Sequence, residues 1–236
     1  MSARTLADWL AFIERQHPSS IALGLDRVSA VFSKLEIKIS CPILTVAGTN
    51  GKGSTCALLE AILRAARYRT ALYMSPHILR YNERVRVAGR EAEDAALCEA
   101  FEAIERARGT VPLTYFEFGT LAALLLFSRH EPDAAILEVG LGGRLDAVNV
   151  LDADCAVLTS IGIDHVEYLG ATREEIGREK AGIFRAGKPA VVADPDPPSS
   201  ILESNAKLIL LGRDFGYQAE GPQWSYWGPA GRRAGL

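Results

Sequence analysis

Residues 46–55 read VAGTNGKGST, three glycines and one lysine set between the apolar run PILTV (42–46) and the helical pattern CALLEAILRAARY (56–68). Strand, glycine loop and helix in that order predict a βα turn. Glycines let such a turn aim its N–H groups inward, the helix start adds partial positive charge, and a lysine reaches outer phosphates. The stretch is therefore a candidate phosphate loop, although it departs from G-x-x-x-x-G-K-[ST]. Gly48 stands only three residues before Gly51, and Gly53 follows Lys52 where a hydroxyl is expected. A glycine-rich turn with a solvated lysine is the competing reading.

Working outward, further apolar β-branched runs alternate with helical patterns. TALYMS (70–75), AAILEVG (134–140), CAVLTSIG (155–162), KPAVVA (188–193) and KLILLG (207–212) read as strands, and 54–67, 93–107, 117–130 and 173–181 as helices. That alternation predicts an α/β fold with a mostly parallel sheet and helices on both faces. Ligands of such sheets gather beyond the carboxyl ends of the strands. Those ends carry the glycine loop, Ser75-Pro76-His77, Glu138 followed by GLGGRLDAVN, and Asp164-His165. From residue 212 the text GRDFGYQAEGPQWSYWGPAGRRAGL reads as short β pieces and stops without a closing helix, so the chain is expected to be a fragment.

With 236 residues, 48% of them hydrophobic, the chain can bury a large core. The net charge of −3, with both signs interspersed, advertises no basic face for nucleic acid and no polybasic segment for a membrane. The expected ligand is small. Neither a signal peptide nor an apolar run of membrane-spanning length is visible, and Cys41, Cys56, Cys98 and Cys155 lack C-x-x-C spacing. They read as buried thiols of a cytoplasmic protein.

Each strand-end residue admits two readings. Ser75 before Pro76 starts a turn or contacts a ligand. Glu138 closes a buried strand, where a carboxylate needs a cation; magnesium fits, and an ion pair with Arg144 or Lys52 is the structural alternative. His165 caps or hydrogen-bonds a helix or binds a metal. Lys180 sits among Arg173, Glu174, Glu175, Arg178 and Glu179, the pattern of a solvated helix face. Residues 140–149 form an irregular loop suited to shape a site. Tyr115, Phe116 and Phe118 open an apolar helix as core or as the wall of a flat aromatic ligand.

Taken together, HPSSIALGLDRV, VAGTNGKGST, YMSPHILRYNERV, TYFEFGTLAAL, LEVGLGGRLDAVN, TSIGIDHVEYLGATREEIGREKAGIFR and GRDFGY follow one another as in a known family. The chain resembles the folylpolyglutamate synthases and the bifunctional dihydrofolate synthase/folylpolyglutamate synthases of the Mur ligase superfamily. The resemblance implies an ATP-dependent ligase of folate biosynthesis and one-carbon metabolism. An acceptor carboxylate takes the γ-phosphate to become an acyl phosphate, and L-glutamate then displaces phosphate. By the family pattern, Thr49, Asn50, Gly51, Lys52, Gly53 and Ser54 hold ATP. Ser75 and Glu138 hold one Mg2+ and His165 a second, while Lys180 matches a lysine that is carbamylated and stands with Lys52 and His165 in the catalytic set. Thr114, Tyr115, Phe116 and Glu117, with Leu145, Asp146 and Ala147, form the site for dihydropteroate or folate.

Family members run on past this point to adenine and ribose contacts and to a separate glutamate-binding domain. The resemblance thus implies an ATP-binding catalytic domain over 1–211, a truncated β-rich segment over 212–236, no C-terminal domain, and weak or no ligase activity for a monomeric chain. Two alternatives are a cell-wall Mur ligase, against which the folate-type stretches argue, and a non-catalytic nucleotide-binding module.

Overall fold

A computed structural model describes residues 4–236. The glycine loop joins β1 (Ile43–Ala47) to α3 (Lys52–Ala65), as its composition requires. Two helices, α1 (Leu6–Ile13) and α2 (Asp26–Lys34), precede it. The remaining runs become β2 (Thr70–Tyr73), β5 (Ala134–Glu138), β6 (Cys155–Leu158), β7 (Pro189–Val192) and β8 (Lys207–Leu210). These six strands are parallel in the order β2-β5-β1-β6-β7-β8. Beyond β2 an antiparallel hairpin of β3 (Val85–Val87) and β4 (Arg90–Glu91) extends the sheet to eight strands. The run VRVAGRE was not among the expected strands, because two- and three-residue strands are too short to show alternation.

Side-chain alternation sorts the sheet into two unequal faces. Val46, Leu72 and Ile136 turn to α3 and pack with its buried Cys56. Ala47, Ala71, Tyr73 and Leu137 turn the other way, into the larger core. There α5 (Tyr115–His130) is buried along residues 117–127, which explains its all-round apolar sequence. It lies between the sheet and an outer layer of α4 (Asp94–Arg108), α1 and α2. Further along the same face, Ala156, Leu158, Ala190 and Val192 pack with Ile176 of α7 (Arg173–Ala181) and Ile201 of α8 (Ser199–Leu202). Helix α8, a single four-residue turn, joins the last two parallel strands.

The β-rich reading of the last segment holds as an antiparallel sheet of β9 (Gly216–Glu220), β10 (Gln223–Gly228) and β11 (Gly231–Arg233). Of the four cysteines only Cys56 is fully buried; Cys41, Cys98 and Cys155 are half-buried free thiols. They occupy the strand approach, helix flank and strand start, where packing is incomplete. No helix of the described residues is long and apolar enough to cross a membrane.

Candidate active site

Adjacency of β2, β5, β1 and β6 brings the four chemically marked strand ends into one crevice. The glycine loop is stitched to the end of β6. Thr49 N–H donates to Ser160 O (2.8 Å), Asn50 N–H to Ser160 Oγ (3.1 Å), and Thr159 Oγ1 donates to Asn50 O (2.7 Å). Gly48 has φ +150°, and a Cβ there would collide with Thr159 Oγ1, so only glycine fits this crossing. Gly51, at φ +83°, caps α3 without a side-chain bond. The first N–H groups of a 14-residue helix are thereby left for an anion. Lys52 curls back, its Nζ donating to Gly48 O (3.0 Å) and Thr49 O (3.2 Å).

Glu138 ends β5 and is 3% exposed. Its Oε2 accepts from Ser75 N–H (2.9 Å). Burial raises its carboxyl above the ordinary range, against the pull of that N–H and of Lys52. Neither ion pair expected as the structural alternative is present: Arg144 pairs with Glu179 at 2.8 Å, and Lys52 bonds its own loop. The glycine loop after β5 turns Arg144 toward α7, its N–H donating to Glu179 O (2.8 Å). A buried carboxylate without a cation beside a hydroxyl-bearing residue fits a hard divalent ion that keeps most of its oxygen ligands from phosphate and water. No group of three His, Cys, Asp or Glu side chains gathers as a metal cluster among the described residues.

Two connected cavities organise the rest. One, of about 350 Å³, is lined by Ser20–Gly24, Lys52, Ser75, Pro76, Arg84 and His165 together with Thr114, Phe116, Glu117, Leu145, Asp146 and Ala147. The other, about 30 Å³, gathers Gly48, Thr49, Lys52, Asp164, His165 and Lys180. Lys52 and His165 line both. His165 is exposed at φ +49° at the start of α6 (Val166–Leu169), its Nε2 3.7 Å from Asp164 Oδ2. Asn50, Gly53 and Ser54 lie on the loop and the first turn of α3, outside both linings.

Lys180 corrects the solvated-face reading: it is 4% exposed. Charged neighbours in sequence point elsewhere on α7, while Gly143 abuts the carbonyls of Glu179 and Lys180 and the glycine loop covers that turn. Burial first, then Lys52, lowers its ammonium to about 8. Such an amine is partly neutral near physiological pH and therefore nucleophilic.

At the wider end, a capping box of Thr114 and Glu117 fixes the start of α5. Glu117 continues to Arg27 at 3.0 Å. Successive helical residues are rotated by roughly 100°, so Phe116 faces the cavity while Tyr115 turns away to Tyr81 (5.9 Å, edge-on). Tyr115 thus stands outside the lining where it was expected, and Phe118 goes to the core. Phe116 rests on Gly140, where any Cβ would come 2.7 Å from its ring. Asp146 is buried, accepts from Leu141 N–H (2.8 Å) and Val148 N–H (3.0 Å), and burial pushes it up to about 6. The segment Ser20–Gly24 lies within the family-like stretch HPSSIALGLDRV but was given no place in the site, because its mostly apolar residues supply walls and backbone rather than reactive groups.

The fold and these strand ends define an α/β domain of the phosphate-loop kind. Residues 46–219 match the model of the Mur ligase middle domain, and the chain belongs to the Mur ligase family. It is 52% identical over 230 residues to the dihydrofolate synthase/folylpolyglutamate synthase of Escherichia coli (strain K12), covering 95% of this chain and 54% of that protein. The structure of E. coli FolC in complex with DHPP and ADP superposes with a TM-score of 0.96 at 51% identity, over 99% of this chain and 58% of that one. A bifunctional folylpolyglutamate synthase/dihydrofolate synthase with Mn, AMPPNP and L-glutamate bound gives 0.90 at 50% identity, over 99% and 57%. The chain spans about half the length of the curated relatives it matches.

Proposed function

We propose that this chain forms the ATP-binding and acceptor-binding part of a dihydrofolate synthase/folylpolyglutamate synthase, an ATP-dependent ligase that joins L-glutamate to dihydropteroate, to folate, or to both. The observation that carries the reading is the single 350 Å³ cavity, which runs from Phe116 and Asp146 to Lys52, Ser75 and His165. A flat ring bound at one end sets a carboxylate at the other. The names of the similar proteins and their bound nucleotide, Mn, glutamate and DHPP support the same reading.

In this assignment Thr49–Ser54 cradle the phosphates, and Lys52 neutralises charge that develops as the acceptor carboxylate takes the γ-phosphate. The N–H groups at the start of α3 hold the phosphate tail in line. A divalent ion on Ser75, Glu138 and His165, in one or two positions, would neutralise phosphate oxygens. Lys180, as a neutral amine, adds CO2 to give a carbamate and a proton, and the resulting oxyanion orients toward the same place. Phe116 stacks on the pterin and Asp146 accepts from its ring N–H groups, with Thr114, Glu117, Leu145 and Ala147 as walls. Residues 1–211 form the catalytic domain, 212–236 begin the next segment, and the protein acts as a cytoplasmic monomer on small molecules, without nucleic acid or membrane.

The deciding experiment offers the purified chain Mg-ATP and L-glutamate with dihydropteroate, tetrahydrofolate or a UDP-linked peptide, measuring calorimetric binding and mass gain. Binding of a pterin acceptor and not of the peptide supports the proposal, whether or not turnover follows. Preference for the peptide overturns it.

The raised carboxyl of Asp146 sets a pH dependence. Only its ionised form accepts from the pterin through both oxygens, so acceptor affinity is expected to be near its maximum at neutral pH, half-lost at about pH 6 and to fall further below it. Asp146→Asn should flatten that profile at low affinity. A wild-type affinity constant from pH 5 to 8 would refute the role.

A further inference from the structure

Arg84 is a cation at the cavity that the ligase reading does not use. It lines the 350 Å³ cavity beside Ser75 and Pro76. Its carbonyl accepts from Met74 N–H (2.9 Å), which fixes its backbone one residue from Ser75 across the β2–β3 corner. The guanidinium is held from three sides. Its Nε donates to His77 Nδ1 (2.8 Å), and its Cζ lies over the rings of Tyr81 (5.3 Å) and Tyr115 (5.5 Å). This last contact also gives Tyr115 a task other than lining the cavity.

What Arg84 lacks is an acid. Among the described residues it forms no ion pair, whereas nearby Arg27, Arg80 and Arg86 are matched by Glu117, Glu91 and Glu60. The adjacent Glu83 is committed to the N–H groups of Ile78, Leu79 and Arg80. A partly buried guanidinium oriented through Nε and stacked on aromatic faces keeps its two terminal nitrogens free. That is the geometry for gripping a carboxylate with two parallel bonds.

The reacting carboxylate of an acceptor has to reach Lys52, Ser75 and His165. Dihydropteroate has one carboxylate, and that one reacts. A folate that already ends in glutamate has two on its last residue, so a spare anion arrives next to the reaction centre. We propose that Arg84 is the subsite for this non-reacting carboxylate, and so the residue that admits glutamate-terminated acceptors. The inference rests on the ligase reading and deepens it. It requires no movement of the backbone, because the Met74 and His77 bonds already place the side chain.

The test titrates the 236-residue chain by calorimetry with tetrahydrofolate and with dihydropteroate, for the wild type, Arg84→Gln and Arg84→Lys. Loss of a bidentate charge-assisted contact predicts that Arg84→Gln weakens tetrahydrofolate binding about tenfold or more. Dihydropteroate binding should change by less than about threefold, which also serves as the folding control. Arg84→Lys, which keeps the charge but not the fork, should fall between and carries the test if the glutamine variant does not fold. Equal weakening of both acceptors, or of neither, overturns the subsite while leaving the ligase reading intact. A wild-type chain that binds neither acceptor overturns both.

Discussion

Lys52→Met is expected to lower the affinity of the chain for Mg-AMPPNP about tenfold or more. In any form of the protein that turns over, the rate should fall by about 10²–10³. The ammonium lines both cavities and is pinned by two carbonyls of its own loop, at 3.0 and 3.2 Å. Three donors project from an ammonium and two are spent, so one remains for a phosphate oxygen without any rearrangement. The loop itself is held independently by Thr49, Asn50 and Thr159, so the variant should fold. Lys52→Arg should not restore function, since a planar fork cannot fit where a compact point charge sits between two close carbonyls. Calorimetric titration with circular dichroism as the folding control decides; unchanged affinity in Lys52→Met would remove the loop from nucleotide binding.

How much of this site could be read from the chain depended on whether chemistry followed local order. The turn around Gly48 and Gly51 and the six parallel strands were legible, because a glycine loop after an apolar run and before a helical pattern has few other structural solutions. Strand ends were legible as a group for the same reason. Glu138 was recognisable as a buried carboxylate in need of a cation, but its partner was not. Arg144, six residues on, is carried by the glycine loop to α7, a long-range outcome with no local signal. Tyr115 and Phe116 shared one reading until the capping box at Thr114 fixed the helix phase and sent them to different neighbours. Arg84 lies in the family-like stretch YMSPHILRYNERV but was given no role of its own, because only the tertiary pairing of acids among the described residues leaves it unmatched.

Lys180 is the sharpest case, since its sequence neighbours describe a solvated helix and its surroundings a buried one. Lys180→Met is therefore expected to stabilise the chain at pH 7 while removing the amine proposed above to form a carbamate. The unfolded ammonium keeps a value near 10.5, whereas burial and Lys52 hold it at about 8 in the fold. Below about 8 both states carry the proton, and the cost of burying it is fully present. Between about 8 and 10.5 the unfolded chain binds a proton the native chain has released, so wild-type stability rises with pH across that window. The difference corresponds to about 3 kcal/mol at most, and methionine fills the space without the charge. In CO2-depleted, metal-free buffer the variant should melt several degrees above wild type at pH 7, and the gap should close toward pH 10. With 13C-bicarbonate, a carbamate signal should appear in the wild type and grow as pH rises toward 8, and be absent in Lys180→Met. A variant that melts lower at pH 7 would mean that the ammonium is compensated in the fold. A wild-type spectrum without the carbamate would overturn the carbamate and leave Lys180 a buried amine.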